Sequence, residues 1–248
     1  MHREHVMLPS EPMGRRVHIW KYGTFGLPLL VFPSAAGMAH EWEAHGMIDA
    51  MSDWIESAKV KVYCVESNVA EAWTRKDSDP NWRIERHEAY EAFVQNELIP
   101  YIREDCRTPD IAIGATGTSM GAFYAANFAL KAPEAIRWAL CLSGRYDITW
   151  MTDGFNSDGV YRTNPIAYVP NLDGERLERI RKNTHLVLVC GRGKWEDGNI
   201  EDTERLGALL TTKGISNQVD LWGYDVAHEW EWWKRQVRYH LGPVVGNQ

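Results

Sequence analysis

A serine, a pair of adjacent carboxylates and a histidine follow one another along this chain in an order that nucleophilic catalysis can use. The serine is Ser119, in Gly117-Thr118-Ser119-Met120-Gly121. That pentapeptide fits G-x-S-x-G and stands between a run that reads as a strand, Asp110 to Gly114, and one that reads as a helix, Ala122 to Lys131. A serine on such a strand-to-helix turn is held in a strained conformation that exposes its hydroxyl, and only glycine tolerates close backbone approach on either side. Serine is a poor nucleophile on its own and needs an adjacent base. His228 is the candidate, because it lies between the last strand-like run and the final helical run, where it can reach over the sheet edge. The other histidines are placed less usefully. His2 and His5 are near the start, His18 falls in a strand, and His185 begins another. His40 and His45 sit near the loop Pro33 to Gly37 and could touch a substrate, but solvated helix edges are the simpler reading. His228-Glu229 could open a zinc motif, yet Trp232 stands where the second histidine ligand belongs, so no metal is expected.

A third group must orient His228 and stabilise the imidazolium formed as Ser119 loses its proton. Glu196 and Asp197 both follow the strand-like run ending at Cys190. Glu196 is preferred, on the argument that Trp195 anchors it inward and leaves Asp197 in water. Asp225, three residues before His228, is a further candidate whose plainer role is turn formation. Acyl transfer also needs donors for a developing oxyanion. One is expected at the N–H of Met120, the residue after the serine and at a helix N-terminus. The other is expected from Pro33-Ser34-Ala35-Ala36-Gly37; Pro33 has no N–H, which leaves Ala35 or Ser34.

These residues need a scaffold that brings distant strand ends together. Arg16 to Tyr22 alternates as an early antiparallel strand would, and Leu29 to Phe32 is a continuous apolar run typical of a strand buried on both faces. Met47, Ile48, Met51, Trp54 and Ile55 recur at helical spacing. Lys61 to Val65 reads as a strand, and Ile84 to Arg103 as a long helix that Pro100 should end or bend. Beyond the serine come a strand at Trp138 to Leu142, an irregular stretch from Arg145 to Pro170, and a strand at Leu186 to Val189. A helix at Ile200 to Thr211, a strand at Gln218 to Trp222 and a helix at Trp230 to Leu241 complete the series. Alternating strands and helices predict an α/β fold, a mainly parallel sheet covered on both faces. In such sheets ligands collect at the carboxyl ends of the strands. The serine, the acids and the histidine all follow such ends.

With 248 residues the chain fits one domain, residues 1–248, with N-terminal strands in 1–28 and an excursion over 145–182. A net charge of −7 disfavours nucleic acid or an anionic membrane as partner. No apolar run reaches the ~20 residues of a spanning helix, and Met1 to His5 shows no secretory signal, so a cytoplasmic enzyme is expected. The four cysteines lack paired spacing, which argues against disulfides and a metal cluster. Among twelve tryptophans, Trp73, Trp150 and Trp195 fall near strand ends and are the ones that could line a pocket. Arg145 could meet a substrate anion, although pairing with a carboxylate is the plainer reading.

The motifs together resemble the α/β-hydrolase superfamily, in the esterase branch that includes esterase D and feruloyl esterases. The resemblance rests on Phe32-Pro33-Ser34-Ala35-Ala36-Gly37, the Ser-Met-Gly core of Gly117 to Ala122, and the His-Glu-Trp of Asp225 to Trp230. It implies a three-layer α/β-hydrolase fold and hydrolysis of small-molecule carboxylic esters through an acyl-enzyme. It further implies Ser119 as nucleophile, His228 as base, and Met120 with Ala35 or Ser34 as oxyanion donors. No cofactor is needed, and a homo-oligomer is compatible. Thioesterase, S-formylglutathione-type hydrolase and acyltransferase activities use the same triad, and a catalytically silent scaffold is the alternative of another class. Ala122 replaces a glycine of many relatives, and Phe-Pro replaces the frequent His-Gly before the first oxyanion loop. The length leaves little room for an elaborate lid.

Overall fold

Eight strands form a single sheet in a computed structural model that describes residues 1–246. In chain order they are β1 (Arg3–Ser10), β2 (Arg15–Tyr22), β3 (Leu27–Phe32), β4 (Val60–Val65), β5 (Ile113–Thr118), β6 (Ile136–Leu142), β7 (His185–Cys190) and β8 (Ser216–Leu221). Their spatial order is β1-β2-β4-β3-β5-β6-β7-β8. β2 runs antiparallel to both β1 and β4, and every pairing from β4 to β8 is parallel. The parallel strands therefore all deliver their carboxyl ends to one rim.

Side chains alternate across this sheet with the period of two that strands impose. In β3, Leu30 and Phe32 enter one apolar cluster, while Leu29 and Val31 enter the other. The first cluster is roofed by residues of the helices Pro80–Phe93 and Met120–Lys131, including Tyr90, Phe93, Phe123 and Phe128. The second holds Trp42, Met51 and Ile55 with Trp233, Val237 and Leu241 of the helix Trp230–Gly246. Both faces are covered, so the strands read as continuous apolar runs. Among the described residues, no helix is long and apolar enough to cross a membrane. Cys64, Cys141 and Cys190 are buried free thiols, and Cys106 is a partly exposed one.

Three expectations need correction. The strand before the serine runs Ile113–Thr118 instead of Asp110 to Gly114. Its last four residues, Ala-Thr-Gly-Thr, lack large apolar side chains, and at Gly117 the Gly121 backbone leaves no room for a Cβ. Of the two outcomes expected at Pro100, an end or a bend, the helix does not end there. An α-helix over Pro80–Phe93 passes through a π-helical turn, Val94–Leu98, into a further helix, Ile99–Asp105. The wider turn relieves the ring clash and missing N–H that proline brings to a helix interior. Residues 145–170 are not irregular throughout. They contain the short helices Asp158–Thr163 and Pro165–Tyr168 and two 3-10 turns, and a ten-residue helix, Gly174–Asn183, follows. Their starts are fixed by side-chain caps, Ser157 accepting from Val160 N–H and Asn164 from Ile166 N–H. Elements of four to six residues are too short to show a period.

Candidate active site

Ser119 stands where β5 turns into the helix Met120–Lys131, with φ 56° and ψ −118°. Positive φ is strained for a non-glycine residue. Two glycines create the space for the turn. A Cβ on Gly117 would lie 2.4 Å from the Gly121 carbonyl carbon, and one on Gly121 would lie 2.2 Å from Phe32 O. The same close approach sets the end of β3 against the elbow. Ser119 N–H donates to Leu142 O (2.8 Å), tying the elbow to the end of β6. The Ser119 side chain remains partly exposed.

The loops after β7 and β8 are zipped together, and this brings Glu196 to His228. Gly193 N–H donates to Val226 O and His228 N–H to Lys194 O, both at 2.9 Å. Glu196 Oε2 then lies 3.0 Å from His228 Nδ1. Glu196 is fully buried, and His228 retains 19% of its side-chain exposure. Three further groups reach the carboxylate. Ser143 Oγ donates to Oε1 (2.6 Å), Asn199 Nδ2 donates to Oε2 (2.9 Å), and Cys190 Sγ lies 3.4 Å from Oε2. Burial works to raise the Glu196 pKa, but His228, Ser143 and Asn199 outweigh it and hold the carboxyl below its ordinary value. An ionised carboxylate can only accept, so the Nδ1 facing it carries the proton and Nε2 is left bare to act as a base. Asn199 Nδ2, 3.1 Å from Nδ1, is then a fellow donor to the same oxygen.

Trp233 supports this pair from two sides. Its indole N–H donates to Ser143 Oγ (3.0 Å), and its ring meets the His228 imidazole edge-on at 4.8 Å. Ser143 itself sits at φ 53° and is buried. Sequence reasoning passed over Ser143, Asn199 and Trp233. Ser143 directly follows a strand end, the same signal that picked out the other site residues; Asn199 and Trp233 give no comparable sign.

Asp197 and Asp225 are exposed, and neither makes a side-chain hydrogen bond to His228 among the described residues. The argument that Trp195 anchors Glu196 does not hold. Trp195 is 66% exposed at φ 69°, with the Lys194 ammonium over its ring, and the hydrogen bonds of Ser143 and Asn199 are what hold the carboxylate inward. Trp73 is fully buried and donates to Tyr124 OH, so it is core; Trp150 and Trp195 do present surface. Arg145 stacks over Trp150 at 4.8 Å and makes no ion pair with a carboxylate among the described residues. His45 lies flat on Trp230, ring centroids 4.2 Å apart, and His40 is exposed.

Met120 opens its helix, where the first N–H groups have no intrahelical acceptor. In the loop after β3, Ser34 N–H donates to Glu41 Oε2 (2.7 Å) and Ser34 Oγ to Glu41 Oε1 (2.8 Å). Ala35 follows at φ 40°, exposed, and its N–H has no backbone acceptor among the described residues.

The family model described as "Putative esterase" matches residues 6–241. The chain belongs to this esterase family. Membership makes it an ester-hydrolysing enzyme. Solved structures agree with the fold. A ferulic acid esterase superposes with a TM-score of 0.76 at 18% identity, over 98% of this chain and 97% of that one. MPT51 of Mycobacterium tuberculosis gives 0.74 at 15%, over 99% and 98%. An S-formylglutathione hydrolase from Agrobacterium tumefaciens gives 0.74 at 14%, over 98% and 94%. At such identities the likeness establishes the α/β-hydrolase-type fold alone. A search of curated proteins finds no significant match.

Proposed function

We propose that this esterase is a serine carboxylic-ester hydrolase that works through an acyl-enzyme, with Ser119 as nucleophile, His228 as base and Glu196 as the acid that orients it. The observation that carries this reading is the buried Glu196 carboxylate at 3.0 Å from His228 Nδ1, on loops that share a rim with the strained Ser119 elbow. His228 Nε2 takes the Ser119 proton as Oγ attacks the ester carbonyl, and the imidazolium is stabilised by Glu196. The carbonyl π electrons move onto oxygen, and the N–H groups of Met120 and Ala35 donate hydrogen bonds to the oxyanion so formed. Ala35 is preferred to Ser34 because the Ser34 N–H is already committed to Glu41. His228 then returns the proton to the departing alcohol, and the same base activates water to release the acid. The substrate is a small-molecule ester and no cofactor takes part.

A fluorophosphonate should label Ser119, and Ser119→Ala should lose both the label and most p-nitrophenyl acetate turnover while unfolding at the parent's temperature. If the folded alanine variant turns over ester as fast as the parent, the assignment fails.

A further inference from the structure

Glu41 is a partly buried carboxylate beside the elbow for which the triad has no use. Its two oxygens are both spent on one residue, Ser34: Oε2 on the backbone N–H and Oε1 on the hydroxyl. The turn that follows is closed by Gly37 N–H donating to Ser34 O (2.8 Å), with Ala35 in the left-handed region at φ 40°. Such a conformation is strained for a non-glycine residue and persists only where the surroundings over-determine it. Here they do. Ser67 Oγ donates to Ala35 O (3.0 Å) and Ser67 N–H to Gly37 O (3.0 Å), holding the far side of the turn. Glu41 holds the near side. Gly37 is packed against it so tightly that a Cβ there would stand 2.5 Å from Glu41 Oε1.

We infer that Glu41 is a positioning residue of the oxyanion hole: it clamps Ser34 so that the strained turn presents the Ala35 N–H, and not the Ser34 N–H, to the reacting carbonyl oxygen. The inference rests on the serine-esterase reading above. The clamp needs an acceptor for the Ser34 N–H and a polar partner for its hydroxyl; it does not need a charge. Glutamine satisfies both demands, its Oε1 accepting from the N–H and its Nε2 donating to Oγ. Alanine satisfies neither. A charge or a proton-transfer group at position 41 would give the opposite pattern, with glutamine failing as badly as alanine.

The decisive measurement is the inhibition constant of an alkyl trifluoromethyl ketone, referred to active sites titrated with fluorophosphonate. Ser119 Oγ adds to this ketone, its proton passes to His228, and the carbonyl electrons become an oxyanion seated in the hole. The constant is a property of each competent site, so a partly unfolded preparation does not change it. Removing one oxyanion donor typically lowers turnover about 10²–10³-fold, so displacing one should weaken the ketone in Glu41→Ala at least about tenfold. The same factor should appear in kcat for p-nitrophenyl acetate, with KM within about twofold. Glu41→Gln should stay within about threefold of the parent. Gly37→Ala, whose Cβ would stand 2.5 Å from Glu41 Oε1 and 2.8 Å from Pro33 Cβ, should reproduce the alanine defect. An alanine variant with the parent's constant, or a glutamine variant as impaired as alanine, overturns the clamp while leaving the triad reading intact. A parent chain that neither takes the label nor hydrolyses ester overturns both.

Discussion

Ser143→Ala removes a hydroxyl that touches no substrate, yet it should be felt in both stability and rate. Ser143 Oγ donates to the buried Glu196 carboxylate at 2.6 Å and accepts from the Trp233 indole at 3.0 Å. A hydrogen bond to a charged group contributes about 1.5–3 kcal/mol, and an orphaned buried donor costs about 1–3 kcal/mol, so the variant should lose about 3–5 kcal/mol near neutral pH. The pH dependence separates the two parts. Glu196 has a native pKa below its ordinary value, because His228, Ser143 and Asn199 together outweigh burial. Its contribution is therefore fully present above the unfolded carboxylate range and is lost as pH falls through the lowered native value. Removing Ser143 lets that native value climb. The gap between parent and variant should thus be widest near neutrality and should narrow as the carboxylate is protonated in both, leaving the pH-independent indole part of about 1–3 kcal/mol. Urea unfolding followed by tryptophan fluorescence from about pH 7 to about pH 3 measures the gap directly. Turnover of p-nitrophenyl acetate should fall on the order of tenfold, since Oε2 and Asn199 still face His228 but the carboxylate is free to tilt. A gap below about 1 kcal/mol at neutrality, or one that does not narrow on acidification, would refute the argument.

Gly121→Ala should remove activity through the backbone alone, because its new Cβ would stand 2.2 Å from Phe32 O and 2.6 Å from Pro33 O. Neither atom belongs to a flexible side chain, so a loss of about 3 kcal/mol or more is expected, with fluorophosphonate labelling of any folded fraction abolished; parent-like labelling would show that the elbow tolerates the methyl. Trp195→Ala should do the opposite and change little, within about ±0.5 kcal/mol in stability and about twofold in p-nitrophenyl acetate turnover. A large loss of kcat there would restore to Trp195 the anchoring role that its 66% exposure denies it.

Most of the scaffold is legible in the sequence because burial on both faces leaves an unmistakable trace. Leu29 to Phe32, Val62 to Val65 and Leu186 to Val189 are apolar without interruption, and each is the core of an observed strand. The trace fades where close packing demands small residues. β5 carries Gly114, Ala115 and Gly117, so its sequence pattern places the strand several residues too early. It also fades in the segment after β6, where helices of four to six residues are started by Ser157 and Asn164 and complete too few turns to reveal a stripe.

The candidate site divides along a similar line, between local strain and distant contact. Ser119 and its glycines announce themselves within five residues, since the elbow is a local backbone problem with one chemical solution. Glu196 does not announce itself. Trp195-Glu196-Asp197 offers two carboxylates, and the local argument for the first invoked the neighbour that in fact faces water. What separates them is the donors that reach Glu196: Asn199, three residues on, and Ser143, 53 residues upstream, whose hydroxyl is held in turn by Trp233, 90 residues after Ser143. Glu41 is hidden for the same reason, with its meaning residing in the turn it grips rather than in its own surroundings in sequence. An acid in such a site is thus selected by the donors that gather round its position, and in Glu196→Gln the neighbouring Asp197 would not take over the role, because its exposed side chain faces water and not Ser143 or His228.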